Sequence, residues 1–255
     1  MGHIEPSEPQ RHRRSVGEGV RDRLRALALR LRGDHFTSPR LLRFYFNTFG
    51  LLTRANYLWH RYLAVPKPPI RVHLGSGPKY LEGFVNIEGL PIWKSDILLD
   101  IRAGIPFRSG GVETLYCCHV LEHFDVGRIV RLLRECWRVL APGGGLRIVV
   151  PSLERAIADY EADTLPATEG SRFGRFESRG GRFNFETLCD NNHPVMLDYS
   201  FLAELLDRAG RWRDVRRAGF GESGVLSPED LQKAEGDRRD MIDRSLVVEG
   251  LKESS

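Results

Sequence analysis

The chain has 255 residues, 41% of them hydrophobic, which is enough to bury a full core and to build one large domain with an appendage. Its 38 Lys and Arg against 34 Asp and Glu leave a formal net charge of +4, too small to mark the whole chain as a polyanion binder. The four cysteines show no CxxC spacing, and there is neither a run of about 18 apolar residues nor a signal-peptide core, which argues against a disulfide framework, a membrane span and secretion, and for a cytoplasmic protein with reduced thiols.

Residues 1–17, with Gly2, Pro6 and Pro9 ahead of clustered arginines, read as a disordered basic tail. Between Arg11 and Arg32 eight arginines face only Glu18 and Asp22, so this arm suits nucleic acid, anionic lipid or an acidic partner, or is a solvated helix face. Val20, Leu24, Leu27 and Leu31 recur at helical steps, and Gly33 ends that helix. A second apolar segment, 41–65, carries Phe44, Tyr45, Phe46, Phe49, Tyr57, Trp59 and Tyr62 until Pro66-Lys67-Pro68-Pro69 stops it. The expected organisation is therefore the tail, an N-terminal helical extension over 18–66, and a main domain over 67–255.

Beyond the prolines, short apolar strands interleave with helices, the pattern of a mostly parallel, doubly wound α/β sheet. Strands are expected at Ile70 to Leu74, Phe84 to Glu88, Ile97 to Asp100, Thr114 to Cys118 and Leu146 to Val150, with a last pair at Trp212 to Phe220 and Ser245 to Leu251. Helices are expected from Phe124 to Leu140, closed by Ala141-Pro142-Gly143-Gly144-Gly145, and from Asp198 to Ala209. Ser227-Pro228-Glu229-Asp230 has the cap, first-turn proline and acids of a third helix start. Over 161–192 neither period holds, which predicts a long irregular insertion, either a functional lid or a mobile segment.

Leu74-Gly75-Ser76-Gly77 falls at the carboxyl end of the first strand, where doubly wound sheets bind ligands, and glycine there lets backbone approach a ligand closely. Glu88 ends the second strand and can accept both hydroxyls of a ribose, while Asp100 ends the third. A dinucleotide fingerprint needs a third glycine where Tyr80 stands, so a nicotinamide enzyme is the weaker reading. His119 and His123 share one face if their segment is helical. The metalloprotease spacing needs Glu directly after the first His, where this chain has Val120, and no third ligand is indicated, so no metal is expected.

Taken together, the segments His73-Leu74-Gly75-Ser76-Gly77-Pro78-Lys79, Gly83-Phe84-Val85-Asn86-Ile87-Glu88, Leu99-Asp100-Ile101, His119-Val120-Leu121-Glu122-His123 and Arg138-Val139-Leu140-Ala141-Pro142-Gly143-Gly144 resemble the class I methyltransferases, and within them a bacterial branch often associated with glycan and surface-polymer biosynthesis. The resemblance covers residues 70–155 and, more weakly, 209–251. It implies a seven-stranded sheet and S-adenosylmethionine as cofactor, with Gly75, Ser76 and Gly77 beneath its methionine portion, Glu88 on the ribose, Asp100 and Ile101 by the adenine and His119 beside the methyl-transfer centre. Two departures are a stretch after the glycine loop too short for the usual full helix, and Glu where Asp is common.

His119 and His123 are the candidate general bases for a hydroxyl or protonated amine acceptor, since histidine titrates near neutrality. Arg172, Arg175, Arg179, Arg182, Asn184 and His193 offer acceptor contacts, of which Arg175, Arg182 and His193 are taken as the substrate-binding set. The expected acceptor is a small molecule, a glycan or a lipid-linked molecule. Nucleic acid is disfavoured, because the catalytic region has no basic stripe. The aromatic N-terminal helices are open to three roles: covering the acceptor pocket, pairing in a homodimer, or resting on the inner face of a membrane. The alternative function is a catalytically silent cofactor-binding partner acting through its basic arm.

Overall fold

The structure, a computed structural model, describes residues 55–64, 66–168, 171 and 173–254. The basic tail, the helix expected from Val20 to Leu31, the aromatic segment through residue 54 and Arg172 lie outside the described residues.

Short runs, most of them largely buried, produce one seven-stranded sheet: β1 Arg71–Leu74, β2 Val85–Glu88, β3 Ile97–Leu98, β4 Val112–Cys118, β5 Leu140–Pro151, β6 Trp212–Ala218 and β7 Ser245–Lys252. Their order is β3-β2-β1-β4-β5-β7-β6. The first five run parallel, and β7 is antiparallel to both β5 and β6. On one face, Val72, Leu74, Leu115, Cys117, Ile148 and Val150 pack against α1 (Val126–Val139) and α4 (Tyr199–Asp207). Helix α1 is capped by Asp125, whose side chain accepts the Arg128 amide, and it buries Ile129, Leu132, Leu133, Cys136 and Val139 at helical spacing, each worth roughly 1.5–3 kcal/mol.

The opposite face is covered differently. Only a tight loop joins β1 to β2, and Asn86 at its far end does the work that a crossover helix would do. Its side-chain nitrogen donates to the Leu81 and Phe84 carbonyls at 2.9 and 3.0 Å, and its oxygen accepts the Leu81 amide at 2.9 Å. The uncovered sheet face, Tyr116, Cys118, Val149 and Val247, together with Leu81 and Phe84 from the loop, is roofed by α5 (Pro228–Glu235) and α6 (Arg239–Asp243), which bring Leu231, Ala234 and Ile242 from between β6 and β7. Ser227 caps α5 by accepting the Asp230 amide at 3.1 Å, with Pro228 in the first turn as the sequence predicts. Arg71 to Asp230 and Lys79 to Asp237, both 2.5 Å, tie the roof to the β1 side.

Beneath α5, Arg147 is fully buried in β5 and forks onto Glu235 at 2.8 and 2.7 Å while donating to Glu249 of β7 at 2.8 Å.

Several expectations are corrected. Ala141 to Gly145 does not leave the sheet: β5 begins at Leu140, which pairs with Val112, and Gly145 pairs with Thr114, so residues 141–144 bulge opposite Glu113. Proline cannot donate to a ladder, and a Cβ at Gly144 would stand 2.9 Å from the Glu113 carbonyl, which is why the bulge falls there. The third strand ends at Leu98, because Asp100 turns to cap a 3₁₀ turn, Ile101–Ala103.

The insertion is also more regular than predicted. It holds the end of α2 (Leu153–Ala162) and a ten-residue helix α3 (Arg179–Leu188) capped by Ser178. Gly180 and Gly181 hide the period of α3, which is held instead by contacts. Tyr160 meets Phe183 edge-on at 5.2 Å, and Arg244 bridges Glu186 at 2.7 Å and Asp159 at 2.9 Å.

Residues 55–62 are helical and dock on the edge of the domain, where Asn56 donates to the Leu98 carbonyl at 2.6 Å. Among the described residues no helix is long and apolar enough to cross a membrane.

Candidate functional site

A cavity of ≈ 790 Å³ opens at the carboxyl ends of β1, β2 and β4 and is lined by Gly75, Gly77, Glu88, Asp100, Ile101, His119 and His123 from the predicted set. Sequence reasoning missed Leu90, Trp93, Phe124, Arg128 and Asn192, which also line it. All five sit in loops or at helix starts, where no periodicity marks them.

The glycine loop is shaped by sterics. Gly75 and Gly77 have φ of +62° and +52°, a region that L side chains rarely adopt. A Cβ on Gly75 would stand 2.5 Å from Val120 Cγ2, whereas one on Gly77 would meet no protein atom within 4 Å. Ser76 is buried, does not line the cavity, and its Oγ has no partner. Glu88 is the anchor of the loop: Oε2 accepts the Gly77 amide at 2.8 Å and Oε1 the Leu90 amide at 2.9 Å. Burial pushes its carboxyl up from the ordinary value, with the backbone amides of Gly77, Leu90 and Gly89 opposing. Each oxygen keeps a lone pair for a ligand hydroxyl.

Asp100 lines the cavity, yet its carboxylate is engaged by Arg102, with Oδ1 accepting the backbone amide at 3.0 Å and Oδ2 facing the guanidinium at 2.6 Å. Tyr80, at the missing third glycine, hydrogen-bonds Asp96 at 2.8 Å, and no helix follows the glycine loop to offer a pyrophosphate its N-terminus.

At the other end, His119 takes φ +53°, and its Nε2 lies 3.2 Å from Ser245 Oγ. Ser245 spends its own proton on the Met241 carbonyl at 2.7 Å, so His119 Nε2 is the donor of that pair. His119 Nδ1 stands 3.2 Å from Glu122 Oε1. His123 Nδ1 lies 3.1 Å from the Asn192 carbonyl, and its ring meets His193 edge-on at 5.0 Å. His193 is buried, and burial depresses its imidazole.

Of the predicted acceptor contacts among the described residues, His193 is the one the structure brings to this end. Arg175 is exposed and pairs with Glu177 at 2.8 Å. Arg182 is spent on Asp163 and, at 2.8 Å, on the Leu165 carbonyl, so neither lines the cavity. Both hold the insertion together instead.

Comparison with known proteins adds a family match. Residues 91–148 match the family model described as methyltransferase domain. That stretch runs from the loop before β3 through α1 into β5, and the seven-stranded, mostly parallel sheet is the class I methyltransferase fold that the sequence resemblance implied.

Among solved structures, the chain is similar to an S-adenosylmethionine-dependent methyltransferase from Archaeoglobus fulgidus (15% identity, 82% of this chain and 100% of that one, TM-score 0.44). It is also similar to phosphoethanolamine N-methyltransferase 2 of Haemonchus contortus in complex with phosphomonomethylethanolamine and S-adenosylhomocysteine (10%, 79% and 53%, 0.43). A third is a Thermotoga maritima methyltransferase named as a possible histamine N-methyltransferase (17%, 82% and 99%, 0.42). No curated protein matches the sequence.

Proposed function

We propose that this protein is an S-adenosylmethionine-dependent methyltransferase acting on a small-molecule, glycan or lipid-linked acceptor. The observation that carries the reading is the pairing of the Gly77 amide with buried Glu88 at one wall of a large cavity, on the strand ends of a methyltransferase-type sheet. The cofactor supplies a methyl group on a sulfonium. Gly75 and Gly77 give the backbone close approach, Glu88 accepts the ribose hydroxyls, and Ile101 with Asp100 flanks the adenine. A pyrophosphate would need a helix N-terminus that this loop does not have, which disfavours a dinucleotide.

Methyl transfer disperses charge, so the residues accelerate it chiefly by alignment. His119 and His123 stand on the acceptor side. With His119 Nε2 committed to donating and its Nδ1 turned to Glu122, His123, whose Nδ1 is held by the Asn192 carbonyl, presents the lone pair that takes a proton from a hydroxyl or ammonium acceptor. The apolar side chains exposed on residues 55–64, Leu58, Trp59, Tyr62 and Leu63, are the surface through which the protein would rest on a membrane or meet a second copy.

Isothermal titration with S-adenosylmethionine and S-adenosylhomocysteine tests the cofactor, and a methyl-release assay over candidate acceptors tests the reaction. Binding without turnover would favour the catalytically silent partner, and no binding would reject both readings.

A further inference from the structure

We propose that Glu122, His123 and His193 form a divalent transition-metal site at the acceptor end of the cavity. The direction of each hydrogen bond carries the inference. The Asn192 carbonyl can only accept, so its contact places the proton of His123 on Nδ1 and leaves Nε2 with a lone pair. His193, nine-tenths buried, has a hydrogen bond with the Thr187 backbone that favours ring donation, while its Nδ1 has no partner. Glu122 is 1% exposed, and neither of its buried oxygens takes part in a hydrogen bond. One ligand atom from each of the three lies within 4.8 Å of the others.

Each of the three residues thus has a lone pair to offer, and they gather where a carboxylate has lost its water. Such a charge is costly unless something positive balances it. His119 Nδ1 stands 3.2 Å from it, but with the ring proton on Nε2 that nitrogen offers the carboxylate no donor. A divalent cation satisfies all three, and an imidazole backed by a backbone carbonyl is the arrangement that metal-bound histidines use to fix their tautomer.

Two imidazoles and one carboxylate suit Zn²⁺, Co²⁺, Mn²⁺ or Fe²⁺. Tetrahedral ligands at about 2.1 Å stand roughly 3.4 Å apart, so binding draws the three side chains together, and exposed His123 has the room to move. Three protein ligands leave a coordination position for an acceptor oxygen. That use rests on the methyl-transfer reading; the site itself does not. In the metal-loaded protein His123 is a ligand and no longer a base.

The test uses the full, untagged chain stripped with chelator and titrated with Co²⁺, followed by visible absorption and then by displacement with Zn²⁺. One equivalent of Co²⁺ should bind, with affinity falling more than tenfold in His123→Ala and in Glu122→Gln, each variant checked for folding by circular dichroism. If buried Glu122→Gln unfolds, surface-exposed His123→Ala still decides. No stoichiometric binding by the wild-type chain, or binding unchanged in the folded variants, overturns the site. S-adenosylhomocysteine titrated into the same metal-free preparation reports the donor site separately, so either claim can fail alone.

Discussion

Glu88 Oε2 accepts the Gly77 amide at 2.8 Å, a bond that joins the end of β2 to the loop after β1 and aims a buried carboxylate at the cavity. Glu88→Ala removes both proposed ribose contacts and orphans the Gly77 and Leu90 amides. Hydrogen bonds to a charged group contribute about 1.5–3 kcal/mol each, so the affinity for S-adenosylmethionine should fall roughly a hundredfold or more by calorimetry. Because burial raises this carboxyl, protonation sets in above the ordinary carboxylate range. Cofactor affinity should therefore decline on acidification earlier than for an exposed glutamate, and an affinity flat down to pH 4 would contradict the assignment.

The two glycines of the loop should behave differently. Gly75→Ala combines left-handed strain with a Cβ 2.5 Å from Val120 Cγ2, so it should lower the thermal midpoint clearly, and Val120→Ala should restore part of the loss. Gly77→Ala meets no protein atom and carries only the strain of about 1–2 kcal/mol. Its methyl enters the ligand's space, so cofactor binding should suffer more than folding does.

Arg147→Met leaves Glu235 buried without its partner, while Glu249 keeps Arg216, and stranding a buried charge costs about 3–5 kcal/mol in comparable settings. Adding Glu235→Leu should return part of that stability. Urea midpoints of the single and double variants give the coupling directly, and simple additivity would count against a single buried network.

Stability should also fall with acid through His73. Burial pushes this imidazole down to about 4, with the Asn86 contact at 3.2 Å opposing. The unfolded chain takes the proton near pH 6.5 and the folded one only near 4. The unfolded state thus binds more protons in that window, and stability is lost as pH drops from about 6.5 to about 4, by about 3 kcal/mol. Unfolding curves across this range for the wild type and His73→Gln would show whether the slope belongs to His73.

Much of the sheet was legible because buried parallel strands are short apolar runs and α1 keeps its period through fourteen residues. One wall of the cavity was legible too, since Gly75, Gly77 and Glu88 fall at strand ends. What the sequence concealed are residues whose partners lie far along the chain. Arg147 interrupts an apolar strand, and only Glu235 and Glu249, 88 and 102 residues later, explain it. Asn86 differs, because its partners are five and two residues back, but only the fold of the loop brings the Leu81 and Phe84 carbonyls onto it. His193 joins Glu122 and His123 only because the insertion after α2 returns to the cavity, so the spacing that pointed away from a metal did not contain the third group. Arg175 and Arg182 had suitable chemistry but were already paired within the insertion.

The roof formed by α5 and α6 sets an order of events. The strands that hold the proposed donor site lie in the first half of the domain, but Tyr116, Cys118, Leu81 and Phe84 are covered by residues that follow β6. During synthesis these apolar surfaces emerge well before their cover, and a chain ending near residue 225 has all the predicted cofactor contacts without the packing that holds them. Such a truncation should be insoluble or bind no cofactor, and adding residues 226–254 as a separate peptide is the direct way to see whether the late segment completes the early one.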